Sequence, residues 1–161
     1  MHAFAPTAAD AAKPELYREL ADAAEALTAG EPDAVANMAN VAALIGLLVP
    51  ELNWSGFYRL VGEELVLGPF AGKPACIRIP LGQGVCGTAA ERRATQRVAD
   101  VHAFPGHIAC DPNSRSELVV PVLRGGEVIA VIDLDSPRPG RFDAEDQAGI
   151  EALADLIADR I

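Results

Sequence analysis

The chain has 161 residues, half of them hydrophobic, which suits a single domain with an adequate core and argues against disorder. Thirteen basic residues against 23 acidic ones leave a formal charge of −10, which argues against a nucleic-acid backbone or an anionic membrane as partner. The longest apolar run, Val41 to Pro50, is too short for a bilayer, which needs about 20 residues, and Met1 to Ala12 lacks the basic start and apolar run of a signal peptide, so a soluble, cytoplasmic protein is expected.

Residues 1–12 read as a flexible, Ala-rich arm and residues 13–161 as one domain. A first helix is expected from Pro14 to about Ala29, with Leu16, Leu20, Ala23, Ala24 and Leu27 on one stripe. A second starts near Pro32 and stops at Pro50, with Val35, Met38, Ala42, Ile45 and Val49 facing inward. Asn53 to Leu60 is an aromatic strand, and Val61-Gly62-Glu63 turns into a partner strand, Glu64 to Phe70. Ala75 to Pro80 reads as a third strand. Gly82-Gln83-Gly84-Val85-Cys86-Gly87 opens a short helix that ends near Arg92 or Arg93. Gln96 to Ala99 is a brief strand. Leu118 to Leu123 and Glu127 to Asp135 form a hairpin about Gly125-Gly126. Asp143 caps a last helix whose apolar stripe is Ile150, Leu153, Ala154, Ile157 and Ile161. Hairpins with helices at both ends give an α+β domain with a mostly antiparallel central sheet.

Between two of these strands lies Phe104 to Glu117, a polar stretch too long for a plain turn and stiffened by Pro105 and Pro112. Connections of this kind are usually functional or disordered, and here an ordered site loop is expected, with Cys110 as a redox nucleophile. Strand Val128 to Asp135 alternates, so Val128, Ala130, Ile132 and Leu134 share one face. Ile129, Val131, Asp133 and Asp135 share the other, the two carboxylates roughly 7 Å apart. Such a face suits the mouth of a pocket, or a strand running out into solvent. A two-residue Gly125-Gly126 turn pairs Leu118 with Asp133, which points Glu117 away from both aspartates. Gathering all three acids requires a bulge, a different loop length, or a Glu117 outside the ladder, and Pro121 makes irregularity plausible.

Cys76, Cys86 and Cys110 lie 10 and 24 residues apart with no Cys-x-x-Cys pair, a poor zinc spacing, so no metal is expected. Each cysteine also reads as a small buried hydrophobe. That reading is weakest for Cys110 in its polar loop. At Cys86 a helix N-terminus should lower the thiol pKa. His107 reads as a loop-structuring residue rather than a base. Trp54 and Tyr58, four apart on one strand, share a face and could wall an apolar pocket. The Gly-rich turn lacks the Gly-Lys-Ser/Thr ending of a phosphate loop.

Taken together, Gly82-Gln83-Gly84-Val85-Cys86-Gly87-Thr88-Ala89, Phe104-Pro105-Gly106-His107-Ile108-Ala109-Cys110-Asp111, Ser114-Arg115-Ser116-Glu117-Leu118-Val119-Val120-Pro121 and Asp133-Leu134-Asp135-Ser136 resemble the free methionine-(R)-sulfoxide reductases, which are single GAF-domain enzymes. The resemblance runs from about Asn53 to the last helix. It implies a GAF-like fold and reduction of free methionine sulfoxide without metal or organic cofactor. It implies that Cys110 is the nucleophile and that Cys76 or Cys86 resolves it, Cys76 being favoured. It also implies that Glu117, Asp133 and Asp135 hold the substrate, with Trp54 near its methyl group, in a homodimer recycled by thioredoxin. The chemistry agrees independently. A thiolate must attack sulfur while an acid protonates the departing oxygen, and clustered carboxylates keep one proton near neutrality, which makes Glu117 or Asp135 a candidate acid. The alternative reading is a GAF-like module that binds a nucleotide or another small ligand, or a thiol redox switch.

Overall fold

The computed structural model describes residues 12–108 and 110–161. The first two helices are α1 (Lys13–Thr28) and α2 (Ala34–Leu48), followed by the strands β1 (Trp54–Val61), β2 (Glu64–Gly72) and β3 (Arg78–Pro80). Helix α3 (Gly84–Arg92), strand β4 (Gln96–Val98), a single 3-10 turn at Val101–Ala103, strands β5 (Ser116–Arg124) and β6 (Glu127–Ser136), and helix α4 (Ala144–Ile157) complete the order. The six strands form one sheet in the order β3-β2-β1-β6-β5-β4, with every neighbouring pair antiparallel. The expected arm falls almost wholly on residues 1–11, outside the described residues.

Helix ends follow their local chemistry. Asp33 caps α2 by accepting from the Ala36 N–H at 2.8 Å. Asp143 caps α4 in a reciprocal box, accepting from the Glu145 and Asp146 N–H groups while the Asp146 carboxylate accepts from the Asp143 N–H. Asp146 is fully buried and also accepts from Tyr17 Oη at 2.8 Å, Lys13 Nζ at 2.6 Å and Arg141 Nη1 at 3.1 Å. The network ties the start of α1 to the start of α4, so the two terminal helices lie together.

The sheet separates two apolar clusters. Helices α1, α2 and α4 cover one face, packing Leu20, Ile45, Leu153 and Ile157 against Phe57, Leu118, Val120, Ile132 and Leu134. On the other face α3 brings Val85, Cys86 and Ala89 to Trp54, Tyr58, Leu65, Val119 and Val131. Each fully buried Leu, Ile or Phe contributes roughly 1.5–3 kcal/mol, so both faces are committed. The second cluster is the smaller, and its open end becomes the site.

Three expectations require correction. Val35 does not face inward: it is 55% exposed in the first turn of α2, and the buried stripe runs through Met38, Val41, Ala42, Ile45 and Leu48. The third strand begins at Arg78 rather than Ala75, because Lys73-Pro74 carries the chain away from β2, although the Leu67 N–H still bonds the Ile77 carbonyl at 2.9 Å. Val128 does not share a face with Ala130, Ile132 and Leu134. It belongs to the Trp54 cluster, while Ile129 packs with the helices. The cause is a bulge. Leu123 pairs with Val128 but Val122 pairs with Ala130, leaving Ile129 as an extra residue.

Candidate active site

The bulge sets the site. Beyond it, Val119 faces Asp133 and Glu117 faces Asp135 across the β5–β6 ladder. On the other side of β6, Trp54 faces Asp135 and Gly56 faces Asp133. Directly paired residues share a face, so Glu117, Asp133, Asp135, Trp54 and Tyr58 project together on the α3 side. They line a pocket of about 550 Å³, its mouth included.

The floor and one wall are aromatic. Trp54 stacks between Tyr58 (centroids 5.9 Å apart) and Phe70 (5.3 Å). Its indole N–H donates to the Lys73 carbonyl at 3.1 Å. Gly56 makes room for the ring: a Cβ there would lie 2.8 Å from Trp54 Cη2 and 2.4 Å from Phe70 Cβ. Gly72, at φ +140°, lies under the other edge of the indole, and a Cβ there would come within 2.6 Å of Trp54 Cδ1. The Tyr58 hydroxyl donates to the Cys76 carbonyl at 2.9 Å, fixing the segment that carries that cysteine.

The opposite wall is acidic and largely dry. Glu117 and Asp133 are each 6% exposed, and Asp135 is half-buried. Burial raises the Glu117 carboxyl well above its usual range, and the neighbouring Asp133 and Asp135 charges push it further. Burial likewise lifts Asp133 to about 7, and Asp135 is raised by burial and by Asp133. Near neutral pH the cluster therefore retains protons. Cys86 Sγ lies 3.9 Å from Glu117 Oε1. Its thiol is raised well above the ordinary value, first by burial and then by Asp133 and Glu117. This corrects the expected lowering: the partial charge of a helix terminus is outweighed by desolvation and two carboxylates. Among the described residues, Cys86, Glu117 and Asp133 each place a ligand atom within 4.8 Å of the others, and the carboxylate oxygens among them can accept from an ammonium group.

The Cys110 loop closes the mouth. Cys110 is joined to Cys76 by a disulfide, with Cα atoms 5.8 Å apart, and Cys86 remains free and buried. The loop is tied down by Asn53, whose side-chain amide donates to Asp111 Oδ2 at 3.2 Å and Ser114 Oγ at 3.0 Å, and by Lys73, 3.4 Å from Asp111. The Asn113 N–H bond to Asp111 holds that carboxyl below its usual range. His107 lines the pocket with Nε2 4.0 Å from Glu117 Oε2, its pKa lowered first by burial and then by His102.

Of the eight residues singled out from sequence, Cys86, Cys110, Glu117, Asp133, Asp135, Trp54 and Tyr58 line this pocket, and Cys76 is tied to it through its disulfide to Cys110 and the Tyr58 hydrogen bond. Lys73, Ser114 and Ile108 line it without having been singled out, Asn53 holds its loop, and His107 reaches the wall itself. The available signal was polarity out of pattern: Asn53 is a polar residue opening an aromatic strand.

A family model described as GAF domain matches residues 13–161. The chain is 50% identical over 141 residues to the free methionine-R-sulfoxide reductase of Escherichia coli (strain K12), covering 88% of this chain and 86% of that protein. It is 43% identical over 153 residues to the free methionine-R-sulfoxide reductase of Saccharomyces cerevisiae, covering 90% and 85%. It superposes with a TM-score of 0.94, at 44% identity, on the X-ray structure of free methionine-R-sulfoxide reductase from Neisseria meningitidis in complex with its substrate, covering 99% and 95% of the two chains. An acid-lined pocket, a buried thiol in its wall and a disulfide at its mouth, and these likenesses converge: the chain belongs to the GAF domain family and, within it, to the free methionine-R-sulfoxide reductases.

Proposed function

We propose that this protein reduces free L-methionine (R)-S-oxide to methionine by thiol chemistry, with Cys110 as nucleophile and Cys76 as resolving thiol. The observation that carries the reading is the Cys76–Cys110 disulfide at the mouth of a pocket walled by three proton-retaining carboxylates. The choice of epimer follows the names of the relatives.

In the first step the Cys110 sulfur attacks the sulfoxide sulfur. Glu117 or Asp135 protonates the oxygen, which leaves as water as the sulfur–oxygen bond breaks and a bond between Cys110 and the substrate sulfur forms. Water then attacks the Cys110 sulfur and displaces methionine, breaking that sulfur–sulfur bond, giving up a proton and leaving Cys110 as a sulfenic acid. The substrate sulfur is reduced by two electrons and Cys110 is oxidised by two. Trp54 and Tyr58 wall the side where the S-methyl group would rest, and Asp133 accepts from the substrate ammonium. In the second step the Cys76 thiol displaces hydroxide from the sulfenic sulfur, which leaves as water after taking a proton, and the disulfide forms. A dithiol reductant, for which thioredoxin is the proposed supplier, then returns both thiols by exchange. Cys86 stands as the alternative partner for Cys110. A reducing compartment such as the cytoplasm would suit this cycle, and a homodimer is the proposed assembly.

Incubation with free methionine sulfoxide and either dithiothreitol or thioredoxin, following methionine, tests the reading. Turnover supports it, and tight ligand binding without turnover would instead favour a sensor.

A further inference from the structure

Two thiols compete to resolve an oxidised Cys110: Cys76, in the segment after β2, and Cys86, in α3. Resting on the reductase reading, we infer that Asn53 is the positioning residue that selects Cys76. With Lys73 and Asp111 it forms a latch that holds the Cys110 loop against the Cys76 segment while both thiols are reduced.

Strand β1 and the residue before it carry the attachment points of both cysteine-bearing segments. Asn53 is fixed by its own N–H, which donates to the Asp135 carbonyl at 3.0 Å. Its side-chain amide donates to the loop twice, to Asp111 Oδ2 at 3.2 Å and to Ser114 Oγ at 3.0 Å. Asp111 to Ser114 is itself a closed turn, with Asp111 Oδ1 accepting from the Asn113 N–H at 2.9 Å and the Asp111 carbonyl from the Ser114 N–H at 3.1 Å. The neighbour of Cys110 is thereby pinned. On the other segment, the Trp54 indole N–H donates to the Lys73 carbonyl at 3.1 Å, and the Tyr58 hydroxyl to the Cys76 carbonyl at 2.9 Å. Lys73 closes the latch from that side, its Nζ 3.4 Å from Asp111 Oδ2.

A second observation says what the amide is kept for. Asn53 Oδ1 is buried and has no hydrogen-bond partner among the described residues, whereas its nitrogen donates twice. A buried acceptor left unpaired is costly, so the side chain is held here for its donors, and both of them go to the Cys110 loop. Cys86 has no such tie. Its sulfur is turned to Glu117, 3.9 Å away, and among the described residues no hydrogen bond joins Asp111–Ser114 to α3. Two groups held at bonding separation react as one molecule, and the Cα atoms of Cys76 and Cys110 are 5.8 Å apart. The Cys76 sulfur then bonds the sulfenic sulfur of Cys110 as its sulfur–oxygen bond breaks, and hydroxide leaves with the thiol proton as water.

The test oxidises the reduced, full-length protein once, with methionine sulfoxide and no reductant. It follows methionine release, loss of free thiols and, by peptide mapping, which cysteines become joined. The wild type should give Cys76–Cys110. Asn53→Ala loses two hydrogen bonds, one of them to a charged group, so disulfide formation should slow roughly 10- to 100-fold. Methionine release should slow less, and Cys86–Cys110 should enter the map. Wild-type rate and pairing in this variant, or equal slowing of methionine release and disulfide formation, overturns the inference. A double-mutant cycle separates the latch from general damage: Asn53→Ala with Asp111→Ala should be no slower than Asp111→Ala alone, and additive losses overturn it. Should Asn53→Ala not fold, the exposed end of the latch decides. Lys73→Met should slow disulfide formation about 2- to 5-fold, as for an exposed ion pair, Lys73→Arg should restore it, and added salt should bring the wild type toward Lys73→Met. A rate indifferent to salt and equal in all three proteins overturns it. Hydrogen peroxide in place of the sulfoxide also converts a thiolate to a sulfenic acid. Absence of methionine from the wild type would therefore sink the reductase reading by itself, while the pairing produced by peroxide reports on the latch independently.

Discussion

Glu117 stands directly opposite Asp135 across the β5–β6 ladder, although the two-residue Gly125-Gly126 turn by itself would set it opposite Leu134 and on the helix side. One extra residue, Ile129, moves the register and brings the third carboxylate into the cluster. Glu117→Gln keeps the shape and removes the acid. Its kcat should fall by roughly 100-fold or more if Glu117 protonates the departing oxygen, measured by methionine release. The same measurement on Asp135→Asn discriminates between the two candidate acids.

The thiols should separate into two roles. Cys110→Ser should abolish turnover. Cys76→Ser should release one methionine per protein at the wild-type rate and then stop under thioredoxin, which a single-turnover assay reads as a burst with no steady state. Continued recycling in Cys76→Ser would mean that Cys86 substitutes for it.

Stability should depend on pH through the buried acids. A carboxyl raised in the folded state binds its proton more tightly there than in the unfolded chain, so folding is favoured below the unfolded value and that advantage is lost as pH rises through the folded one. For Asp133 the window runs from about 4 to about 7. Thermal melts across this range should show Tm falling as pH rises, and Asp133→Asn should flatten the slope. Asp143 shifts the opposite way, lowered chiefly by Lys13, so its contribution is lost in acid, below that window.

Gly56→Ala should dislodge the indole. The added methyl would meet both Trp54 and Phe70 inside van der Waals contact, costing about 1–3 kcal/mol for overpacking. Tm should drop, and KM should rise more than kcat falls if the aromatic wall binds substrate as proposed.

Tyr58→Phe removes the hydrogen bond that steadies the Cys76 carbonyl. Methionine release in the first turnover should be nearly unaffected. Disulfide formation, followed by loss of free thiols, should slow several-fold if Cys76 resolves as proposed, because it loses its anchor at about 1 kcal/mol.

Much of the fold was legible because local signals agreed. Pro32 announces α2, Asp143 starts α4, Gly62 and Gly125-Gly126 turn their hairpins, and alternation from Ala130 to Asp135 marks the second half of β6. What escaped was set by tertiary geometry. The bulged residue, Ile129, is itself neither Gly nor Pro, and Pro121 on the partner strand signals irregularity without placing it, so the face of Val128 was misassigned and that of Glu117 left open. Val35 obeys helical spacing, yet it falls in the first turn of α2, clear of the buried stripe. The Cys86 thiol illustrates the same limit in electrostatics. A helix terminus can be read from sequence, but the two carboxylates that outweigh it arrive from strands 31 and 47 residues away.

That buried sulfur also bears on how the protein will behave at the bench. Alkylating reagents consume thiolates, and Cys86, in the first turn of α3, is kept in its protonated form by burial and the neighbouring carboxylates. In the reduced, folded protein iodoacetamide should tag two sulfurs quickly and the third only after denaturation. The difference between native and denatured counts then becomes a simple gauge of whether the cleft is intact.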